Sequence, residues 1–197
     1  MERFYLIVGD VALLSRLVPL GVRLVQLRIK DQPKTEIRRQ ITLAREICRE
    51  YNAQLVVNDY WELAIDLGCD FVHLGQEDMD NADFDALRRA NIRFGLSTHD
   101  DDERTRALSL EPDYIALGPI YPTLLKQMKW APQGLEKITR WKHECQDTPL
   151  VAIGGLTIER LPGVFGAGAD SAAVVTDIQQ APDPQSQTRK WISACKT

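Results

Sequence analysis

Polar residues in this sequence cluster where apolar runs stop. Asn58 and Asp59 follow the run that starts at Ala53, and Gly75, Gln76, Glu77 and Asp78 follow the run from Asp70 to Leu74. Gln26, Arg28 and Lys30 alternate at the end of an earlier run, which sends all three to one side if the strand continues that far. Ser97, Thr98 and His99, then Thr123 and Lys126, then Gly154 and Gly155, and finally Thr176 end the later runs. Three chemistries are written in this set. Asp59 and Asp78 are hard oxygen ligands of the kind that hold Mg²⁺ together with water and phosphate oxygens. Arg28, Lys30 and Lys126 offer positive charge to phosphate. Gly154 and Gly155 let a backbone approach closely, at the place where barrel proteins bind phosphate, after their seventh and eighth strands. Two phosphorylated ligands follow, one of them carrying a metal.

Each residue alone has a plainer use. Asp59 suits a helix N-cap, Arg28 and Lys30 a solvated strand end, and the two glycines an ordinary turn. His99 reads as a buried, hydrogen-bonded side chain, and His73, pointing opposite to Val72 and Leu74, as structural. Trp61 and Trp130 suit core or rim, with Trp130 the candidate pocket cover. The constellation is more specific than its members.

The elements that must position these groups repeat along the chain. Eight apolar runs of strand length begin at Phe4, Val22, Ala53, Asp70, Ile92, Tyr114, Leu150 and Ser171. Helical spacing separates them, as in Ile37, Ile41, Ala44 and Ile47 or in Leu156, Leu161, Val164 and Phe165. Strands alternating with helix-length crossovers predict parallel pairing. Gly21, Asn52, Gly68, Asn91 and Gly168 stand where a helix must stop before the next strand. Eight units in 197 residues predict a single-domain α/β protein, a (β/α)₈ TIM barrel spanning residues 1–197, with an open doubly wound sheet as the rival. Trp191, Ile192 and Ala194 suit a last docking helix, and the long stretch Pro119 to Gly134 suits a functional loop.

Bulk properties narrow the partners. With 24 basic and 28 acidic residues the net charge is −4, which gives no footprint for nucleic acid or an anionic membrane. No run reaches the ~18 apolar residues of a membrane helix, and the start lacks the pattern of a secretory leader. Cys48, Cys69, Cys145 and Cys195 are too scattered for a Cys-x-x-Cys site and read as reduced, buried thiols. A cytoplasmic protein acting on small molecules is expected, and a homo-oligomer is left open.

The motifs "VQLRIKD", "VVNDYWELAI", "VHLGQEDM", "FGLSTH", "YIALGPIYPT" with a following lysine, "VAIGG" and "GAGADSAAVV" occur in this order over essentially the whole chain. In this respect the sequence resembles thiamine-phosphate synthase. The resemblance implies a Mg²⁺-dependent transferase of thiamine biosynthesis. It would join 4-amino-2-methyl-5-(diphosphomethyl)pyrimidine to 4-methyl-5-(2-phosphoethyl)thiazole, releasing pyrophosphate by way of a pyrimidine carbocation. It further implies that Arg28, Lys30, Asn58, Ser97 and Lys126 hold the diphosphate and that Asp59 and Asp78 bind the metal. Arg28, Lys30, Ser97 and Lys126 would be the catalytic groups, Gln26 would face the pyrimidine, and Thr123, Gly155, Val175 and Thr176 would receive the thiazole phosphate.

Three positions depart from the family's pattern. Leu125 stands where a hydroxyl is usual, Thr176-Asp177-Ile178 replaces Ser-Ala-Ile, and Tyr60 stands where many relatives carry arginine. A carboxylate aimed at a phosphate would repel it, so Asp177 is expected to point away. Two other functions compete with this one: a thiazole tautomerase on the same barrel, opposed by the cationic and acidic groups it would not need, and a non-catalytic thiamine-phosphate-binding protein, favoured only by Leu125 and Asp177.

Overall fold

Eight short runs become eight strands because each alternates residues that must be buried on both faces. They are β1 Phe4–Val8, β2 Leu24–Leu27, β3 Gln54–Asn58, β4 Phe71–Leu74, β5 Arg93–Thr98, β6 Tyr114–Leu117, β7 Leu150–Ile153 and β8 Ser171–Val174. All pair in parallel, each with its neighbour in sequence, and β1 also pairs with β8 through Phe4 to Ala172 and Leu6 to Val174. The sheet therefore closes as a barrel, as the alternation predicts, and the open-sheet rival is excluded. The structure is a computed structural model and describes residues 1–123 and 130–196.

The helices are α1 Val11–Leu17, α2 Lys34–Glu50, α3 Trp61–Asp66, α4 Gln76–Met79, α5 Phe84–Arg89, α6 Asp101–Leu108, α7 Gly134–Glu144, α8 Leu161–Gly166, α9 Thr176–Gln179 and α10 Pro184–Ala194. In α2 the buried residues are Ile37, Gln40, Ile41, Ala44 and Cys48, a stripe three and four residues apart that faces the barrel. The last helix docks as expected: Asp183 accepts from the Gln185 and Ser186 amides to start it, and its fully buried Trp191 stacks on Phe4 at 5.8 Å. Gly21, Asn52, Gly68, Asn91 and Gly168 all have positive φ, which turns the chain out of a helix and into a strand.

Period-two alternation divides the core into two layers. Leu6, Val25, Val57, Val72, Leu96 and their helix partners fill the shell between sheet and helices. Tyr5, Ile7, Leu24, Val56, Phe71, Tyr114, Ala116, Val151 and Ala173 fill the barrel interior. Inward residues nearer the strand ends are polar: Gln26, Asn58, His73 and Ser97. The barrel is thus apolar below and polar at the end where the loops leave.

All four cysteines are free and buried. Burial pushes the thiol of Cys48 up to about 12 and those of Cys69 and Cys195 up to about 11, and it raises that of Cys145. Little thiolate exists near neutrality, so iodoacetamide should leave the native protein unmodified and alkylate four sites in denaturant. Intact-mass spectrometry before and after unfolding checks this; rapid native labelling would show an exposed, low-pKa thiol.

Candidate active site

Several predicted residues belong to the strands themselves rather than to the loops beyond them. Gln26 and Asn58 lie on β2 and β3 and are 3% and 4% exposed, and Ser97 lies on β5, half-buried. β2 ends at Leu27, yet Arg28 N–H still donates to the Val8 carbonyl at 2.8 Å. The alternation therefore persists past the assigned strand: Arg28 and Lys30 are exposed while Ile29 is buried.

Arg28, Ser97 and Thr123 line one cavity of about 260 Å³ with Gly155, Val175 and Thr176. Ala116, Ile153 and Ala173 supply apolar wall to the same space. Groups suited to anions thus reach it from after β2, from β5, from after β6 and from the β7 and β8 ends. Gln26, Lys30, Asn58, Asp59 and Asp78 do not line this cavity; they lie on or beyond β2, β3 and β4. Lys126 and Leu125 lie outside the described residues, as does part of the candidate lid. The described ends of that loop are tied together, since Gln133 N–H donates to the Pro119 carbonyl at 2.8 Å and Gly134 N–H to that of Ile120 at 3.1 Å.

The acidic pair has a definite geometry. Asp59 adopts φ 64°, and its carboxylate pairs with the Lys30 ammonium. It caps nothing with its side chain; Tyr60 occupies the N-cap position of α3 without a side-chain bond. The capping use considered for Asp59 falls instead to Asp78, which accepts from the Gly75 amide at 3.0 Å at the start of α4. Burial first, and then the negative charge of Asp59, push the Asp78 carboxyl above the usual carboxylate range. Two carboxylates held this close are eased by a cation between them. Among the described residues no group of three or more His, Cys, Asp or Glu side chains forms a metal cage.

On β3 the side-chain nitrogen of Asn58 is buried without a hydrogen-bond partner among the described residues. A buried donor left unpaired costs about 1–3 kcal/mol, so this amide is suited to an acceptor that the described residues do not supply.

His73 faces inward, as its strand position predicts, but it is joined to the site. Its Nδ1 lies 2.7 Å from the Tyr114 hydroxyl and its Nε2 lies 2.8 Å from Ser97 Oγ. Burial pushes its pKa down to about 4, which leaves the ring neutral near neutral pH. Tyr114 in turn lies 2.9 Å from the Tyr5 hydroxyl, which accepts from Gln26 Nε2 at 2.9 Å. Tyr5 and Tyr114 escaped the strand-end argument because they sit deep in the interior, and the signal available for them was Gly95. A β-carbon there would stand 2.1 Å from Tyr114 Cζ, so only glycine lets the phenol cross β5 and stack on His73 at 5.6 Å. A glycine inside a strand marks such a close approach.

His99 lines the cavity and is hydrogen-bonded, with Nδ1 2.7 Å from Glu103 Oε2, and it stacks on Trp130 at 5.6 Å; Trp130 itself does not line the cavity. Gly154 and Gly155, at φ 96° and 67°, do approach a backbone closely: added β-carbons would stand 2.6 Å from Pro119 Cα and 2.5 Å from the Pro122 carbonyl oxygen. Their smallness thus seats the loop after β6 as well as shaping the cavity. Asp177 borders the cavity, but its Oδ2 accepts from Gln187 Nε2 at 2.8 Å and Trp191 Nε1 at 2.6 Å, turned toward α10.

The chain compares closely with known proteins. A family model described as thiamine monophosphate synthase matches residues 4–178. The thiamine-phosphate synthase of Rhizobium etli is 57% identical over 98% of this chain and 95% of its own length. That of Klebsiella pneumoniae is 48% identical over 96% and 90%. Among solved structures, a thiamine phosphate pyrophosphorylase from Pyrococcus furiosus superposes with a TM-score of 0.87 at 26% identity, covering 99% of this chain and 96% of the other.

Gly95→Ala should lower stability by about 3 kcal/mol, the upper end of overpacking costs, and much less in a Tyr114→Ala background. Urea unfolding of the two single variants and the double variant measures this; equal losses in both backgrounds would show that the tyrosine ring is not what the glycine admits.

Proposed function

Because this chain belongs to the thiamine monophosphate synthase family, we propose that it joins 4-amino-2-methyl-5-(diphosphomethyl)pyrimidine to 4-methyl-5-(2-phosphoethyl)thiazole, giving thiamine phosphate and pyrophosphate. The supporting observation is the single cavity that meets Arg28 and Ser97 on one set of strands and Gly155, Val175 and Thr176 on another, with apolar wall between. Two anionic groups on two flat rings suit such a space.

The chemistry asks little covalent work of the protein. Departure of diphosphate leaves a cation on the pyrimidine methylene carbon, stabilised by the amino-substituted ring, and the thiazole nitrogen then attacks it. Arg28, Lys30, Ser97 and the unpaired Asn58 amide are the groups that receive the departing charge, with Lys126 from the loop. Preorganised donors of this kind contribute most of the rate, each worth about 3–4 kcal/mol when removed. Gln26 orients the pyrimidine, and Thr123, Gly155 and the backbone at Val175 and Thr176 hold the thiazole phosphate. Fixing the two rings against each other supplies much of the remaining advantage. Exclusion of water from this space keeps the cation from being trapped as an alcohol.

Asp59 and Asp78 fit Mg²⁺, since the two carboxylates crowd each other and neither belongs to a closed cage of protein ligands. Held there, such an ion would supply Lewis-acid stabilisation of negative charge on a diphosphate. Lys30 already pairs with Asp59, so its ammonium would add positive charge on the same side of the site.

Pyrophosphate release should require both substrates and Mg²⁺. Asp59→Asn and Asp78→Asn should each reduce turnover at least about 100-fold with melting temperature retained, because asparagine at 78 still offers an oxygen to the Gly75 amide and asparagine at 59 still offers one to the Lys30 ammonium. Coupled-assay kinetics with thermal melting test this. A protein that binds the thiazole phosphate but releases no pyrophosphate would instead be a binding protein, and collapse of melting in the variants would assign the carboxylates to stability.

Asp177→Ala should leave thiazole-phosphate affinity within about tenfold, or 1.4 kcal/mol, while lowering stability through the lost Gln187 and Trp191 bonds. Calorimetric titration beside a thermal melt reads both; a larger gain in affinity would place the carboxylate against the phosphate.

A further inference from the structure

The hydrogen-bonded groups inside the barrel form one chain: Gln26 Nε2 to the Tyr5 hydroxyl at 2.9 Å, Tyr5 to Tyr114 at 2.9 Å, Tyr114 to His73 Nδ1 at 2.7 Å, and His73 Nε2 to Ser97 Oγ at 2.8 Å. It draws on β2, β1, β6, β4 and β5 in turn. Gln26, Tyr5, Tyr114 and His73 are buried, while Ser97 opens on the cavity. Every interior hydroxyl and ring nitrogen in the chain can either donate or accept, so the chain can run in two directions. Its far end is set by the Gln26 amide, which turns Nε2 rather than Oε1 to Tyr5, and an amide N–H donates and never accepts.

We infer that Gln26 sets the direction of this chain and that Tyr5, Tyr114 and His73 are positioning residues that hold the Ser97 hydroxyl as a hydrogen-bond donor to an anion in the cavity. The Gln26 amide donates to Tyr5, and Tyr114 is the one other partner of the Tyr5 hydroxyl among the described residues, so the buried Tyr5 proton is satisfied only by turning to Tyr114. Tyr114 turns its proton to His73 Nδ1. A neutral imidazole has one N–H, which is then on Nε2 and is given to Ser97 Oγ. Ser97 has a lone pair engaged and its own proton free to point outward. The reverse direction would commit the serine proton to His73 and present lone pairs to the cavity, which would repel an anion. The consequence for catalysis rests on the proposed function, in which Ser97 meets the diphosphate. The direction of the chain does not.

Two measurements test it on the full chain. With ¹⁵N-histidine labelling, the His73 resonances, identified by their loss in His73→Gln, should show a protonated Nε2 and an unprotonated Nδ1. The opposite tautomer overturns the inference. In kinetics, Tyr114→Phe should slow pyrophosphate release about tenfold or more, yet less than about twofold in a Ser97→Ala background, since groups acting through one another are not additive. Equal fold-losses in both backgrounds overturn the positioning role and leave Tyr114 as scaffold. Tyr5→Phe, one hydroxyl further from the serine, serves the same cycle if Tyr114→Phe does not fold. Should Ser97→Ala release pyrophosphate at the wild-type rate, the diphosphate role of Ser97 fails, and the tautomer alone then decides the direction of the chain.

Discussion

Closure of the sheet is the constraint on which everything else in this molecule depends. Once β8 pairs back onto β1, every strand has two neighbours and the inward half of its residues must share a fixed interior. A closed barrel leaves no edge on which an unpaired polar group can reach water. The apolar residues Tyr5, Ile7, Leu24, Val56, Phe71 and Val151 fill that interior. Nearer the strand ends the same inward positions carry Gln26, Asn58, His73 and Ser97, and the fill changes from hydrocarbon to hydrogen-bonding groups within one or two residues. The site grows out of the core rather than being attached to it.

Interior polar groups are tolerated only when they are satisfied, and here most of them satisfy one another. A phenol buried without a partner costs a few kcal/mol; Tyr5 and Tyr114 avoid that by bonding to each other and to the residues above them. Burial raises both phenols well above their ordinary pKa and lowers that of His73, so each stays neutral near neutral pH and the interior holds no uncompensated charge. Asn58 is the exception, with a side-chain donor that no acceptor among the described residues receives. The contrast between a satisfied interior and one orphaned amide at its rim is what a ligand site built on a rigid scaffold looks like.

Packing among loops matters as much as polarity. Gly154 and Gly155 bring the end of β7 against Pro119 and Pro122, so the segment leaving β6 is seated by the segment leaving β7. Ile120 and Tyr121 donate to the carbonyls of Ile153 and Gly154 at 2.9 and 3.0 Å, which extends strand-like pairing beyond the strands. The cavity wall and the base of the long loop are one structure, and a change in either glycine would disturb both.

The sequence by itself determined the barrel, its eight strands to within two residues at either end, the left-handed stops before five of them, the reduced cysteines and most of the residues around the cavity. Those features follow from local rules: alternation, helical spacing and the turn chemistry of glycine and asparagine act over a few residues and are written where they act. Only the tertiary structure decided that Lys30 pairs with Asp59, that Asp78 and not Asp59 caps a helix, and that Asp177 turns to Trp191. It also decided that His73 links Tyr114 to Ser97. Alternation tells which face a residue takes but not which inward side chain it meets across the barrel. That depends on side-chain length, on strand stagger and on a missing β-carbon at Gly95, quantities fixed only when the sheet closes.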